Sequence, residues 1–505
     1  MGLRSDLLCI LLVVLGNPVL WKIGVALQAY NAPDASAYGS LSRVMASDGL
    51  LYLKSWGYTD QGLILPPLLP AMMAVVGVFT DDPLRAGAWV SGLSALICGV
   101  ALYLLLSRLS NRVVAVVVIL GVQTGYHFYY FAFAPLSEAL FTMVAAWTLV
   151  ALLCCSEHGS LRSGIVVGLC CALVLLSRKA GLFVAGASAL WLVVAAFWNR
   201  EVPRGAVLKR GACVAAGMLL IVGPYAAVLY AQTGQHPLQP RFRMGDYVVG
   251  TDDPAVIAEI EAIQAGNVGA KYRKIYRSRR AMRKLLPDGS EMYAALSPMP
   301  GSAREESSVV GRILGDAAGA PVAIFERLWN NVGRLRSAVG WPMFALFLVT
   351  SISPLAHRAR SPIPSRRFLL PLFIWTYLVG VSIVTDLLDR YVVVVIPFVV
   401  LQGAAEVHAL AGLVSARRFV ATAVALVLVG AALVARPRHY TRVRLQRTPV
   451  AKLAPYAALR AHLPPGAPVL AAAPLDALLL GASYRALPNA RLDLVARYAH
   501  KTGVD

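Results

Sequence analysis

Residues 84–132 read "LRAGAWVSGLSALICGVALYLLLSRLSNRVVAVVVILGVQTGYHFYYFA". Two apolar runs, 84–107 and 112–132, are joined by the basic connector "SRLSNR" (107–112). A helix needs about 20 apolar residues to cross the hydrocarbon core of a bilayer. Each run meets that length, and the pair predicts two adjacent membrane helices with a short charged turn between them. The same pattern continues outward along the chain. Apolar runs at 7–27, 135–155, 163–177, 181–199, 212–232, 341–357, 368–386, 391–413 and 418–435 bring the expectation to about eleven spans. The run at 163–177 is short for a crossing, and its helix is open to extension through Ser177 and Arg178. Residues 7–27 are too long for the apolar part of a secretory signal and lack a small-x-small cleavage site, so they read as a retained first span.

The composition agrees. The chain is 58% hydrophobic and 14% charged, with a mean hydropathy of +0.64. A soluble chain of this length would need far more polar surface to cover its core. The expected fold class is therefore an all-α polytopic membrane protein. The net charge of +21 is assigned to basic loops that meet anionic lipid, and nucleic acid is set aside as a partner. All seven cysteines lie within or at the ends of apolar runs, without metal-ligand spacing, and read as small apolar helix residues.

Basic residues in the short connectors set the orientation. The connectors 107–112, 158–162, 199–210, 357–367 and 415–418 all fall on one side if the N-terminus is inside. Three long segments then lie outside: the first loop (28–83), the loop 233–340 and the tail 436–505. In the first loop, "PPLLPAMMAVVGVF" (66–79) is apolar but short and is opened by prolines, so it reads as an interfacial helix. In the second, "KYRKIYRSRRAMRK" (271–284) reads as a basic amphipathic helix on anionic headgroups, or as a docking surface for a phosphate. In the tail, "APVLAAAPLDALLLGASYRALP" (467–488) suggests strand, helix and strand in a small α/β appendage. The domain division expected is 1–435 in the membrane and 436–505 outside the cytoplasm.

The first loop opens with Asp34 and, one helical turn on, Tyr38. Asp34 reads either as a helix N-cap or as a general base at the membrane surface. Glu138, in "FAPLSEALFTMV", is either a helix-start carboxylate facing the dipole or an acid turned into a cavity. Tyr38 and Tyr58 are candidate cavity residues. Lys54, Arg85, Arg178, Lys179, Arg241, Arg243 and Arg390 lie on the outer side, against the positive-inside trend. A bound phosphate accounts for them through forked, charge-assisted hydrogen bonds. Snorkelling to headgroups accounts for any one of them singly, and least well for Arg178 and Lys179 between two apolar runs. No zinc spacing, P-loop, GxSxG or HExxH occurs, so no metal, nucleotide cofactor or serine nucleophile is expected.

The order of these motifs resembles the GT-C glycosyltransferases, and within them the protein O-mannosyltransferases and lipid A aminoarabinose transferases. The resemblance rests on Asp34-x-x-x-Tyr38, the helix opened by Pro66-Pro67, Arg85 before the second span, "PLSE" (135–138), "LLSRKAGL" (175–182), and "DRY" before "VVVVIP" (389–397). It implies an enzyme of a bacterial inner membrane, N-terminus inside, that works at the periplasmic face. Such an enzyme takes a sugar from a polyprenyl-phosphate donor and passes it to a lipid, glycan or protein acceptor. Asp34 is then the base and Glu138 the second acidic position. Lys54, Arg178, Lys179 and Arg390 contact the donor phosphate, with Arg241 and Arg243 as further candidates. The chain departs from the group at two positions. It has Ala35 after Asp34 where the mannosyltransferases carry Glu, and Leu65 before the loop proline where the aminoarabinose transferases carry Lys. A transporter or flippase, and an O-antigen-type ligase or polymerase, are the alternative readings.

Overall fold

The computed structural model describes residues 2–22, 33–50, 66–80, 82–198, 204–233, 319–356, 366–384 and 389–413, with short pieces between 283 and 293, 456 and 471, and 483 and 486. The first expected span is two helices, α1 (Gly2–Leu15) and α2 (Pro18–Lys22). Pro18 brings no N–H and cannot continue the first helix. Asn17 starts the second by accepting the Val19 N–H on Oδ1 at 2.9 Å. The first loop contributes α3 (Pro33–Asp48) and α4 (Leu68–Gly77). The expected helix at 66–79 is thus present as α4. Its Leu69 and Met73 are fully buried in the main core.

Next come α5 (Pro83–Leu109), α6 (Arg112–Thr124) and α7 (Tyr126–Phe133). The run 112–132 is broken where Gly125 takes an extended backbone, φ −63° and ψ 138°. Then follow α8 (Ser137–His158), α9 (Leu161–Ser177), α10 (Gly181–Trp198) and α11 (Arg204–Thr233). Contrary to the extension left open by the sequence, α9 ends at Ser177, and Arg178 is already extended at φ −156° and ψ 146°. The later part holds α12 (Gly319–Val339), α13 (Trp341–Ala356), a 3-10 turn at Arg366–Phe368, α14 (Leu369–Val384), α15 (Asp389–Val393) and α16 (Ile396–Leu413). The eleventh expected span, 418–435, lies outside the described residues.

Among the described residues, Pro83–Leu109, Ser137–Glu157, Gly205–Gln232 and Tyr391–His408 are both long and apolar enough to cross a membrane. They differ in what they face. The helix Ser137–Glu157 buries 78% of its apolar window inside the protein, whereas Gly205–Gln232 buries 11%. The first is central, and the second presents Leu208, Leu219 and Leu220 outward, as a lipid-facing helix must. The close contact of α9 with α11 rests on two glycines. A Cβ on Gly168 would strike the Val214 carbonyl, and one on Gly217 would strike the Ile165 carbonyl. Small residues let the two backbones approach, which is how packing is gained where lipid offers no hydrophobic drive.

Four of the five basic connectors lie at one end of the bundle, where Arg108 of the first donates to Cys154 Sγ near the end of α8 at 2.8 Å. Arg112 pairs with Asp6, and Asn111 lies 3.5 Å from His408. Arg210 donates from Nε to the Gly159 carbonyl at 3.1 Å, and Arg366 pairs with Glu157 at 3.1 Å. The fifth connector, 415–418, is outside the described residues.

The segment 233–340, read from the sequence as loop, ends in a 21-residue helix, α12. Leu335 and Val339 are buried on one side of it, with Leu328 and Val332 packed on the core. Its Asn331 donates to Ser382 Oγ at 2.6 Å, fastening it to α14. Arg283 and Lys284, taken as the end of a basic helix, instead open strand β1 (Arg283–Leu285). It pairs antiparallel with β2 (Glu291–Tyr293). The sequence between them, "LPDGS", is turn chemistry that ends a helix. In the tail, β3 (Pro468–Ala471) and β4 (Ser483–Ala486) pair in parallel, so the chain between them must cross over.

Candidate active site

The end opposite the basic connectors holds the acidic and basic candidates that are among the described residues. α3 is seated there by its first turn. Ala35 is buried with Leu84 of α5 and with Ala134 and Leu136 before α8. Asp34 is the residue before Ala35 and lies in the first turn of α3, one residue after its start at Pro33. It is therefore inside the helix rather than capping it. One turn on, the buried Tyr38 hydroxyl bonds to Ser137 Oγ at 3.3 Å. This contact brings α3 against the start of α8, one residue beyond Leu136.

Glu138 is in the first turn of α8, where a carboxylate faces the positive end of the helix. It is 2% exposed. Arg178 Nη1 stands 2.9 Å from its Oε1, and the arginine side chain is 7% exposed. The guanidinium lies over the Tyr391 ring, 4.5 Å from its centroid, and 6.0 Å from that of Phe141. Arginine tolerates this because its planar, weakly hydrated cation stacks on aromatic faces. Arg178 also interacts electrostatically with Tyr377 and Tyr38, so all these groups belong to one cluster.

The turn that presents Arg178 is tight. The Arg178 N–H bonds to the Val174 carbonyl at 3.2 Å, and its own carbonyl accepts the Gly181 N–H at 2.8 Å. A Cβ on Gly181 would meet the Val174 carbonyl. Glycine at the start of α10 is what lets the chain fold back within three residues and leave Arg178 pointing into the bundle.

Lys179 is half-buried on the same turn, and Arg85 is exposed beside Leu84. Arg390 is in α15, adjacent to the Tyr391 that underlies Arg178. Lys54, Tyr58, Arg241 and Arg243 lie outside the described residues. Tyr391, Phe141, Ser137 and Tyr377 were not picked out by the sequence, although Tyr391 and Ser137 stand inside the quoted "DRY" and "PLSE". Arg43 on α3 was also passed over. Burial, and then the neighbouring Arg460 of the tail, pull its pKa below the usual arginine range, while Asp82 opposes them.

A family model described as dolichyl-phosphate-mannose-protein mannosyltransferase matches residues 65–229, which hold Glu138 and the Arg178 turn. Among solved structures, ArnT from Cupriavidus metallidurans bound to undecaprenyl phosphate superposes with a TM-score of 0.53 at 13% identity. The match covers 96% of this chain and 86% of that one. The chain has the GT-C fold. The same GT-C likeness extends to the Archaeoglobus fulgidus oligosaccharyltransferase in its apo form, at a TM-score of 0.50 and 13% identity over 91% of this chain and 58% of that one. It extends equally to AglB of that organism in complex with an inhibitory peptide and a dolichol-phosphate, at 0.50 and 13% over 92% and 59%. No curated protein matches the chain by sequence.

Proposed function

We propose that the protein is a multi-pass glycosyltransferase of a bacterial inner membrane. It moves a sugar from a polyprenyl-phosphate donor to a lipid, glycan or protein acceptor at the periplasmic face. The observation that carries this reading is the buried Arg178–Glu138 pair, at the same end as Asp34 and opposite the basic connectors. A buried ion pair contributes little net stability, because desolvation offsets its attraction. A buried arginine presented on a purpose-shaped turn is suited to an anion. ArnT was solved with undecaprenyl phosphate and AglB with a dolichol-phosphate, which supports a polyprenyl phosphate as that anion.

The chemistry then follows from charge. The acceptor oxygen attacks the anomeric carbon, the bond from that carbon to the phosphate oxygen breaks, and configuration inverts. The acceptor proton passes to the Asp34 carboxylate. The donor phosphodiester carries one negative charge, and the departing phosphate monoester carries a second. Arg178, assisted by Lys179 and Arg390, stabilises the charge that develops on the leaving oxygen in a largely dry site. Glu138 acts through Arg178, holding the guanidinium until the phosphate arrives. Lys54, Arg241 and Arg243 are further phosphate contacts in this scheme, and Tyr38 and Tyr58 line the cavity.

Transporters place their ionisable residues near the bilayer midplane, whereas this cluster sits at one end. The experiment is reconstitution in proteoliposomes with polyprenyl-phosphate-linked sugars and a crude acceptor fraction. The reading predicts acceptor-dependent release of polyprenyl phosphate. Movement of intact donor between leaflets, with no cleavage, would make the protein a flippase.

A further inference from the structure

Tyr377 lies in the middle of α14 and is fully buried. Its ring is 6.0 Å from Phe141 and stacks 6.3 Å from Phe373. Among the described residues its hydroxyl has no hydrogen-bond partner. A phenol buried in that way carries an unrecovered desolvation penalty, and phenylalanine would fill the same space without it. The neighbouring rings are in fact phenylalanines: Phe141, Phe373 and, next to the latter, Phe398. The polar groups that the phenol does feel are Arg178, Glu138 and Tyr391. Phe141 stands one turn into α8 from Glu138, so Tyr377 packs against the turn of α8 that follows the ion pair.

We propose that Tyr377 is a donor-binding residue whose hydroxyl donates a hydrogen bond to a phosphate oxygen of the polyprenyl-phosphate ligand. Idle while the site is empty, it is engaged when an anion draws Arg178 away from Glu138. Arg178 supplies the charge and Tyr377 the floor that fixes how deep the phosphate sits. The hydroxyl is also a neutral donor, so it selects for the phosphate without adding a second cation to an apolar core.

This inference rests on the proposed function, and the test separates the two. Affinities of wild type and Tyr377→Phe for undecaprenyl phosphate and for undecaprenol are measured in nanodiscs, alongside the melting temperature of each protein. Wild type is expected to prefer the phosphate. The variant should lose about tenfold or more in affinity for it, the range for one hydrogen bond to a charged group. Undecaprenol binding should not change, and the melting temperature should hold or rise, since no internal hydrogen bond is lost. Equal phosphate affinity in wild type and variant would overturn the role of Tyr377 alone. Equal affinity with a lowered melting temperature would also overturn it and give the hydroxyl to a structural water. A wild type that binds phosphate and alcohol alike would overturn the donor reading itself.

Discussion

At the scale of single residues, stability and catalysis separate cleanly. Asp34 is in the first turn of α3, and at such a position Asp34→Asn should cost only about 0.3–1 kcal/mol through the helix dipole. As the proposed base it should count for far more. Turnover should fall by roughly 10²–10⁴-fold, with the Michaelis constant for donor and the melting temperature nearly unchanged. Wild-type-like turnover in the Asn variant would remove Asp34 from the mechanism. The ion pair makes the opposite contrast. Glu138→Gln leaves Arg178 buried and uncompensated, a loss of about 3–5 kcal/mol. The double variant Glu138→Gln, Arg178→Met removes both charges and should regain most of that stability while staying inactive. Denaturation of both variants in detergent, with activity alongside, checks this. A double variant no more stable than the single would show that the pair is structural. Glu138 and Arg178, which the structure pairs, were legible in the sequence, because charge is conspicuous beside apolar runs. Tyr391 and Tyr377 were not. A tyrosine within an apolar span looks like core until the fold sets its ring under Arg178 or leaves its hydroxyl without a partner.

At the scale of elements, packing is set by a few close approaches. Gly168 meets the Val214 backbone, so Gly168→Ala forces α9 from α11 and should destabilise by about 1–3 kcal/mol. Gly186 on α10 meets nothing within 4 Å. Gly186→Ala should therefore be neutral or stabilise by a few tenths of a kcal/mol through helix propensity. Thermal unfolding of the two variants in one detergent gives the comparison, and equal shifts would refute the close-contact account. The apolar runs were read well because length and hydropathy are local. The breaks at Pro18 and Gly125 were not, although proline and glycine mark them. α12 was missed for another reason. Leu328, Val332, Leu335 and Val339 recur at helical spacing, but arginines on its other face dilute the apolarity that a span search measures. The turn at "LPDGS" likewise argued against carrying a basic helix through Arg283 and Lys284.

For the whole molecule, the contacts of four basic connectors put them at one end and the candidate site at the other. The positive-inside rule then predicts the connectors inside and the candidate site outside. A reporter fused after residue 205 should read as cytoplasmic, and reporters after 285 and at 505 as periplasmic. Reversal of any one would put the site on the wrong face for the proposed donor. The GT-C order was legible because short motifs kept their sequence along the chain. The contact of α3 with the start of α8 was not, since only folding brings Tyr38 to Ser137.

The central claim is that a polyprenyl phosphate is held at the Arg178 end of the bundle. The most direct measurement is a cryo-EM structure in nanodiscs with undecaprenyl phosphate. The account predicts density for a phosphate within hydrogen-bonding distance of Arg178, the guanidinium turned from Glu138 toward it, and the prenyl chain running out between helices. A phosphate bound elsewhere, with Arg178 still paired to Glu138, would contradict it.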